Sequence, residues 1–321
     1  MTGMEERWKR RSKLGICLLP VTQLWAKAEA AEAADELLCG WLYEVLEEKS
    51  GFLRIRTHYA YEGWMDAAEY VPVPRAYGER RELHTVGVHA ADVLYEPRVQ
   101  GRRLTTLFAG SLVRAAGESR LQGGGTRKEG MRGGRMQNGR TWEDWIRVTL
   151  PDGREGYTRA HFLTPRKDGD GFLREGRLEA LAGAWGGLEK EREALLRQEI
   201  VDRALSFLGT QYRWGGKTVL GIDCSGLAFM SYMLCGILIY RDARIMPGFP
   251  VKEIPAERAG KGDLLFFPGH VAVSLGEGRF VHATAYPGCS CVTINSLNEK
   301  DPDYRADLRE RLIAAGSIFP Q

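Results

Sequence analysis

The spacing of hydrophobic positions changes character along the chain. Between residues 15 and 73 apolar residues come in short runs, Trp41 to Leu46, Phe52 to Thr57 and Tyr61 to Met65, with turn signals at Lys49-Ser50-Gly51 and Glu62-Gly63. Runs of this length, punctuated by Gly, Ser and charged residues, predict strands. Gly15 to Val21 is expected to be the first of them, followed by a polar, alanine-rich stretch over 29–36. Residues 84–165 repeat the plan loosely. GFLRIRTHYAYEGWMDAAEYVPVP and DWIRVTLPDGREGYTRAHFLTP share an apolar strand, a turn, a Glu-Gly-aromatic triplet and a short final segment. That internal repeat predicts two copies of one small β module, each a barrel.

From about Leu178 the period becomes helical. Leu196, Ile200, Ala204 and Phe207 fall on one face of a charged segment from Leu188 to Leu208, and Leu227, Met230, Leu234 and Ile237 on one face of a second. The second helix should start near Asp223 or Cys224 and run through Cys235, after irregular backbone marked by Gly215, Gly216 and Gly221. Strands are expected at Leu264 to Phe267, Val271 to Leu275 and Arg279 to Ala283, the last two joined by a Gly276-Glu277-Gly278 hairpin turn.

Composition changes this picture little. A chain of 321 residues with a formal charge of +3 is long enough for two or three domains, and its small net charge gives no argument for a nucleic-acid partner. No apolar span of about 20 residues is present, so no integral membrane span is expected. The basic start and short apolar run before Pro20 lack a closely following small-residue cleavage site, which favours the cytoplasm over secretion or wall association. The segment Gly117 to Arg140 holds eight glycines and six Lys/Arg against two Glu, and reads as a solvated loop insertion. Six cysteines form no disulfide framework. Cys289 and Cys291, two apart, match neither a redox nor a zinc spacing, and no metal or cofactor site is read.

The chemistry concentrates in the last third. Cys224 at a helix start would sit beside unpaired amides and the positive end of the dipole, a setting that lowers a thiol pKa. Taken alone, a cysteine is most often a small buried hydrophobe, which describes Cys235 well. His270 opens one predicted strand and His282 ends the next, so antiparallel pairing would bring the two imidazoles together. A thiol nucleophile needs a base within hydrogen-bond reach, and the base needs an orienting group. Cys224, His270 and His282 supply this set.

These segments resemble the NlpC/P60 family of papain-like cysteine peptidases. The matching motifs are Tyr212-Arg213-Trp214-Gly215-Gly216, Asp223-Cys224-Ser225-Gly226-Leu227, Gly262-Asp263-Leu264-Leu265-Phe266-Phe267, Gly269-His270-Val271 and His282-Ala283. The N-terminal modules resemble bacterial SH3 domains. The resemblance implies an α+β protein, a papain-like catalytic domain over 175–321 preceded by two small SH3-like β-barrel domains over 14–75 and 83–166, the latter with the insertion near 117–140. It further implies a γ-D-glutamyl-L-diamino acid endopeptidase acting on a murein peptide or peptidoglycan fragment with a free N-terminal L-alanine. By the same resemblance Asp223 contacts the substrate amine, Ser225 is a neighbouring contact, Trp214 a pocket wall, Tyr212 the phenol facing the oxyanion, and Tyr61 a contribution from the first module. One departure stands out. Where such enzymes often carry Leu-Tyr-Gly-Glu, this chain has Leu38-Cys39-Gly40-Trp41, so a cation–π face would replace a carboxylate at the amine, with Glu44 a candidate to compensate. Two alternatives accompany this reading: a cell-wall or peptide-binding protein with a degenerate peptidase domain, and a thiol amidase or acyltransferase on the same residues.

Overall fold

A computed structural model describes residues 14–73, 83–115, 144–166 and 189–319. The glycine-rich insertion near 117–140 and the basic N-terminal run lie outside the described residues. The first sheet contains β1 (Leu14–Ile16), β2 (Val21–Lys27), β3 (Glu29–Leu38), β4 (Leu42–Lys49), β5 (Phe52–Thr57) and β6 (Glu62–Asp66). The second contains β7 (Leu83–Val86), β8 (Ala90–Leu94), β9 (Arg103–Phe108), β10 (Leu112–Ala115), β11 (Trp145–Thr149), β12 (Glu155–Arg159) and β13 (Leu163–Pro165). The remaining segment opens with α1 (Lys190–Ser206), a small ribbon of β14 (Lys217–Thr218) and β15 (Gly221–Ile222), and α2 (Cys224–Met233). It continues through β16 (Lys252–Ile254), β17 (Leu264–Phe267), β18 (His270–Gly276), β19 (Arg279–Ala283), β20 (Val292–Ser296), α3 (Ala306–Glu310) and β21 (Ala314–Ser317).

The α+β class holds, but the expected SH3-like β-barrels do not form. The first sheet has the order β1-β4-β5-β6-β2-β3 and the second β13-β7-β10-β11-β12-β8-β9, so each is open with two edges. Period-2 patterning specifies which face of a strand is buried and leaves open whether the two edge strands meet. In the first sheet β3 is committed elsewhere: Asp35 and Glu36 near its end bond Arg241 and Lys217 of the C-terminal segment. Its other half is exposed and carries Glu29 and Glu32, charges that discourage edge pairing. The stretch over 29–36 is thus strand, although its alanines and glutamates carry no strand pattern. Gly15 to Val21 splits into β1 and the start of β2, separated by a bend.

The third sheet has the antiparallel order β16-β21-β17-β18-β19-β20, with α1 and α2 packed against it. Its central hairpin is set by a tight turn. Phe267 pairs directly with His270, leaving Pro268 and Gly269 as the two corner residues, Gly269 at φ +69°. Proline first and a positive-φ glycine second is the requirement of a type II turn, and it puts His270 at the strand's first position. One apolar cluster runs continuously from Leu24, Leu38 and Trp41 of the first sheet, through Leu227, Phe229 and Met230 of α2, to Val271, Val273 and Val281 of the third. The second sheet has its own cluster around Val86, Val93, Leu107, Val113 and Val148. Among the described residues no helix is long and apolar enough to cross a membrane.

Candidate active site

Asp223 is the N-cap of α2. Its Oδ1 accepts the Gly226 N–H at 2.6 Å, which satisfies one of the helix's unpaired donors. Gly226 has no room for a side chain, because a Cβ there would meet the Gly216 carbonyl oxygen. Cys224 is therefore the first residue of the helix, as its spacing predicts. The helix ends at Met233, so Cys235 lies beyond it, still buried and bonded to the Ser231 carbonyl at 3.3 Å. Cys224 is buried, and the Val271 and Ser225 backbone amides point at its sulfur. Burial, followed by the neighbouring Asp223 carboxylate, pushes its thiol up to about 11, against the lowering expected from the helix end alone.

The two histidines meet as the antiparallel pairing requires. His270 Nε2 lies 2.8 Å from His282 Nδ1, and His282 Nε2 lies 2.9 Å from Asn295 Oδ1. The donor directions follow from the far end of this chain. Asn295 Nδ2 donates to the Asp303 carbonyl at 3.1 Å, so its Oδ1 is the atom facing His282 and must accept. His282 therefore carries its proton on Nε2, and its Nδ1 accepts from His270 Nε2–H. That leaves Nδ1 of His270 as an unprotonated nitrogen, the state a general base needs. Burial is the main cause that lowers His270 to about 3 and His282 to about 4; for His270 the nearby His282, Arg305 and Arg311 add to it and Asp307 opposes. Burial thus favours the uncharged form of both groups, the thiol and the imidazole.

Beneath the nucleophile lies a buried charge network that the sequence reading missed. Arg241 grips both oxygens of Asp223 at 3.0 and 3.1 Å, donates to Ser225 Oγ at 2.8 Å, and bonds Asp35 of the first sheet at 2.6 Å. Asp35 also pairs with Lys217 Nζ at 2.8 Å and accepts from the Tyr59 hydroxyl. Asp223 further accepts the Gly215 N–H at 2.8 Å. Every one of these contacts is internal: the carboxylate that the resemblance assigns to the substrate amine also caps α2 and pairs with Arg241. Lys217 Nζ stands 4.8 Å from the Trp41 ring, 4.6 Å from Tyr59 and 4.8 Å from Phe229. Trp41 is 1% exposed and its Nε1 donates to the Gly110 carbonyl at 2.8 Å. Its cation–π partner is thus an internal ammonium. Glu44 pairs with Arg56 at 3.6 Å on the sheet surface. The only signal for the network was Arg241-Asp242, a charged pair directly after the apolar Ile237 to Tyr240.

A cavity adjoins the nucleophile. Its wall includes Ser225 and Val271, the residues following Cys224 and His270, with Tyr240, Asp242 and Arg244 as polar lining and Phe249 among the apolar lining. Tyr61 of the first sheet reaches this region, its ring 6.4 Å from that of Tyr240. Burial raises the Asp242 carboxyl, while Arg241 and the Tyr240 and Tyr61 hydroxyls oppose that rise. Burial, then the adjacent Cys224, raises the Tyr212 phenol, which places that ring beside the nucleophile. Trp214 is 56% exposed on the outer surface. The structure thus brings His270 against His282, Tyr212 near Cys224 and Tyr61 near Tyr240, puts Ser225 on the cavity wall, and holds Trp41 and Asp223 in contact with the internal cations Lys217 and Arg241. Among the described residues there is no cluster of His, Cys, Asp or Glu able to hold a metal ion.

Comparison with known proteins agrees with this geometry. Residues 209–306 match the model of the NlpC/P60 family. The chain is similar to Dipeptidyl-peptidase 6 of Lysinibacillus sphaericus, 36% identical over 309 residues, which is 95% of this chain and 99% of that protein. It is also similar to a Gamma-D-glutamyl-L-lysine dipeptidyl-peptidase of Bacillus cereus, 28% identical over 151 residues, covering 44% of this chain and 39% of the relative. Among solved structures, an NlpC/P60 family protein from Bacillus cereus superimposes with a TM-score of 0.67 at 19% identity, covering 96% of this chain and 100% of that one. A catalytic-type cysteine, two aligned histidines and near full-length similarity converge on one conclusion: this chain belongs to the NlpC/P60 family and carries its cysteine-peptidase fold.

Proposed function

We propose that this chain is a cysteine endopeptidase that hydrolyses the γ-D-glutamyl–diamino acid bond of murein peptides with a free N-terminal L-alanine. The observation that carries the reading is the row of hydrogen bonds from His270 through His282 to Asn295. As the Cys224 sulfur attacks the γ-carbonyl carbon, His270 Nδ1 takes the thiol proton. The oxyanion accepts hydrogen bonds from the Cys224 backbone N–H, at the helix start, and from the Tyr212 hydroxyl. The imidazolium then protonates the leaving amine, and water hydrolyses the thioester with His270 again as base. His282 accepts from His270 throughout and holds its ring.

Both relatives described above are named dipeptidyl-peptidases, the Bacillus cereus one a Gamma-D-glutamyl-L-lysine dipeptidyl-peptidase. Measuring two residues from a chain end requires a group that binds the terminal amine. Asp242 is our choice for that group, because it lines the cavity while Asp223 is held by Arg241. Tyr61 and Ser225 complete the pocket. The same reading treats 14–75, 83–166 and 175–321 as three units, the first supplying a pocket wall.

The test is mass spectrometry of products from L-Ala-γ-D-Glu-meso-diaminopimelate and its N-acetylated form. Release of L-Ala-D-Glu from the free-amine peptide alone is expected, and Asp242→Asn should raise KM for it. Cleavage of both peptides at equal rates would remove the amine requirement. Wild-type turnover by Cys224→Ala would overturn the nucleophile, and binding without cleavage would favour a peptide-binding protein.

A further inference from the structure

We propose that Cys289 and Cys291 form a redox-active dithiol on the rim of the catalytic cleft, converted by a hydroperoxide to an intramolecular disulfide. The two sulfurs lie 3.4 Å apart in the reduced protein. Of the six cysteines they are the two that are partly exposed; Cys17, Cys39, Cys224 and Cys235 are buried. Oxidant therefore reaches this pair before it reaches the nucleophile. The pair sits in an exposed turn, where the Tyr286 carbonyl accepts the Cys289 and Ser290 N–H groups at 3.0 and 3.2 Å. Ring closure must bring the sulfurs from 3.4 Å to the roughly 2.05 Å of a disulfide.

The surroundings divide the roles. The Arg305 guanidinium packs over Tyr286 at 4.3 Å, on the turn that carries Cys289. Cys291, by contrast, has its thiol raised by burial and by its neighbour. Attack is assigned to Cys289 and resolution to Cys291. The Cys289 thiolate attacks one peroxide oxygen; the S–O bond forms, the O–O bond breaks, and the departing hydroxide or alkoxide takes a proton to leave as water or alcohol. Cys291 sulfur then attacks the sulfenic acid; the S–S bond forms, the S–O bond breaks, and water leaves with the Cys291 proton. Two thiols lose two electrons and two protons, and the peroxide is reduced.

The pair is wired to the active site through the backbone between the two sulfurs. Ser290, at φ +45°, presents its carbonyl to the Tyr212 N–H at 2.8 Å. Cys291 forms a β-bridge with Gln211, and its carbonyl accepts the Thr284 N–H at 3.0 Å, two residues from His282. Ring closure moves Ser290 and with it Tyr212, the phenol assigned to the oxyanion. This coupling rests on the proposed function; the thiol chemistry does not.

The experiment treats reduced full-length protein with a few equivalents of hydrogen peroxide, alkylates it under denaturing conditions, and maps the peptides by mass. A mass loss of about 2 Da confined to the peptide bearing Cys289 and Cys291, with Cys224 still alkylated and full reversal by dithiothreitol, is the expected result. Either Cys289→Ser or Cys291→Ser abolishes it. A reduced pair at a dose that already oxidises Cys224 overturns the proposal. In the kinetic arm, oxidised protein should lose about tenfold or more in kcat with little change in KM, restored by dithiothreitol and absent in the double serine variant. A disulfide that leaves kcat unchanged overturns the coupling through Tyr212. Because the mass readout needs no substrate, it decides the thiol chemistry even if the peptide tested is not cleaved.

Discussion

The first and second sheets meet the catalytic segment in different ways. The first sends two carboxylates, Asp35 and Glu36, into its interior and shares one apolar cluster with α2. The second has a cluster of its own, which Cys39 joins, and lends Ala109 and Leu112 to the shared one; its polar contacts with its neighbours run through backbone carbonyls, Gly87 accepting from Arg203 at 3.1 Å, Gly110 from Trp41, and Cys39 accepting the Leu112 N–H at 2.8 Å. Two sheets of similar texture therefore carry different weight. The first is part of the structure that holds Cys224 in place, because a buried charge brought from one side must be matched by charge from the other. The second adds apolar contact and backbone hydrogen bonds without a buried charge.

The most severe way to break this contrast is to empty the charge network. Arg241→Met leaves Asp223 buried without its cation and Asp35 with Lys217 alone, and should cost about 3–5 kcal/mol in urea unfolding. It should lower activity as well, since Asp223 caps the helix that begins at Cys224. If that variant unfolds like the wild type, the first sheet is no more than an attachment.

Acid tests the catalytic half of the comparison. His270 and His282 are held near 3 and 4 in the folded protein, against an ordinary value of 6.5. Between those values the unfolded chain binds protons that the native state refuses. Stability is therefore fully present above about pH 6.5 and falls as pH drops toward 3, by an amount on the order of a few kcal/mol. Thermal melts across this range should show the slope, and His282→Gln should flatten it.

A smaller effect is expected where the second sheet docks. Gly40 has φ +84°, and a Cβ there would collide with the Leu112 carbonyl oxygen. Gly40→Ala should cost about 1–3 kcal/mol in melting experiments while leaving kcat of the folded protein close to wild type. A loss of kcat larger than the loss of folded protein would show that the second sheet does shape the site. Smallest of all, Arg203→Ala removes one hydrogen bond to the Gly87 carbonyl and should stay within about 0.5 kcal/mol of wild type.

Much of the catalytic segment was legible because its signals are local. A helix start near Asp223 or Cys224, a hairpin turn at Gly276-Glu277-Gly278 and short apolar strands place Cys224, His270 and His282 without knowledge of the rest. What was not legible came from distance. Asn295, which fixes the tautomers, stands on the next strand of the sheet, and nothing in Thr-Ile-Asn-Ser marks it. Nor does a sequence show an internal partner for the aromatic face of Trp41 or the carboxylate of Asp223; Lys217 and Arg241 supply them.

By itself, then, the sequence determined two helices and three strands of the C-terminal segment, with Cys224 at a helix start and His270 and His282 on neighbouring strands, since apolar periodicity, turn residues and helix capping act within a few positions. Tertiary structure alone decided three things: that the N-terminal sheets stay open, that Asp35 reaches across 206 residues to Arg241, and that burial favours the uncharged thiol and imidazole. Each depends on which distant surfaces exclude water and which charges meet there, and neither is encoded in local spacing.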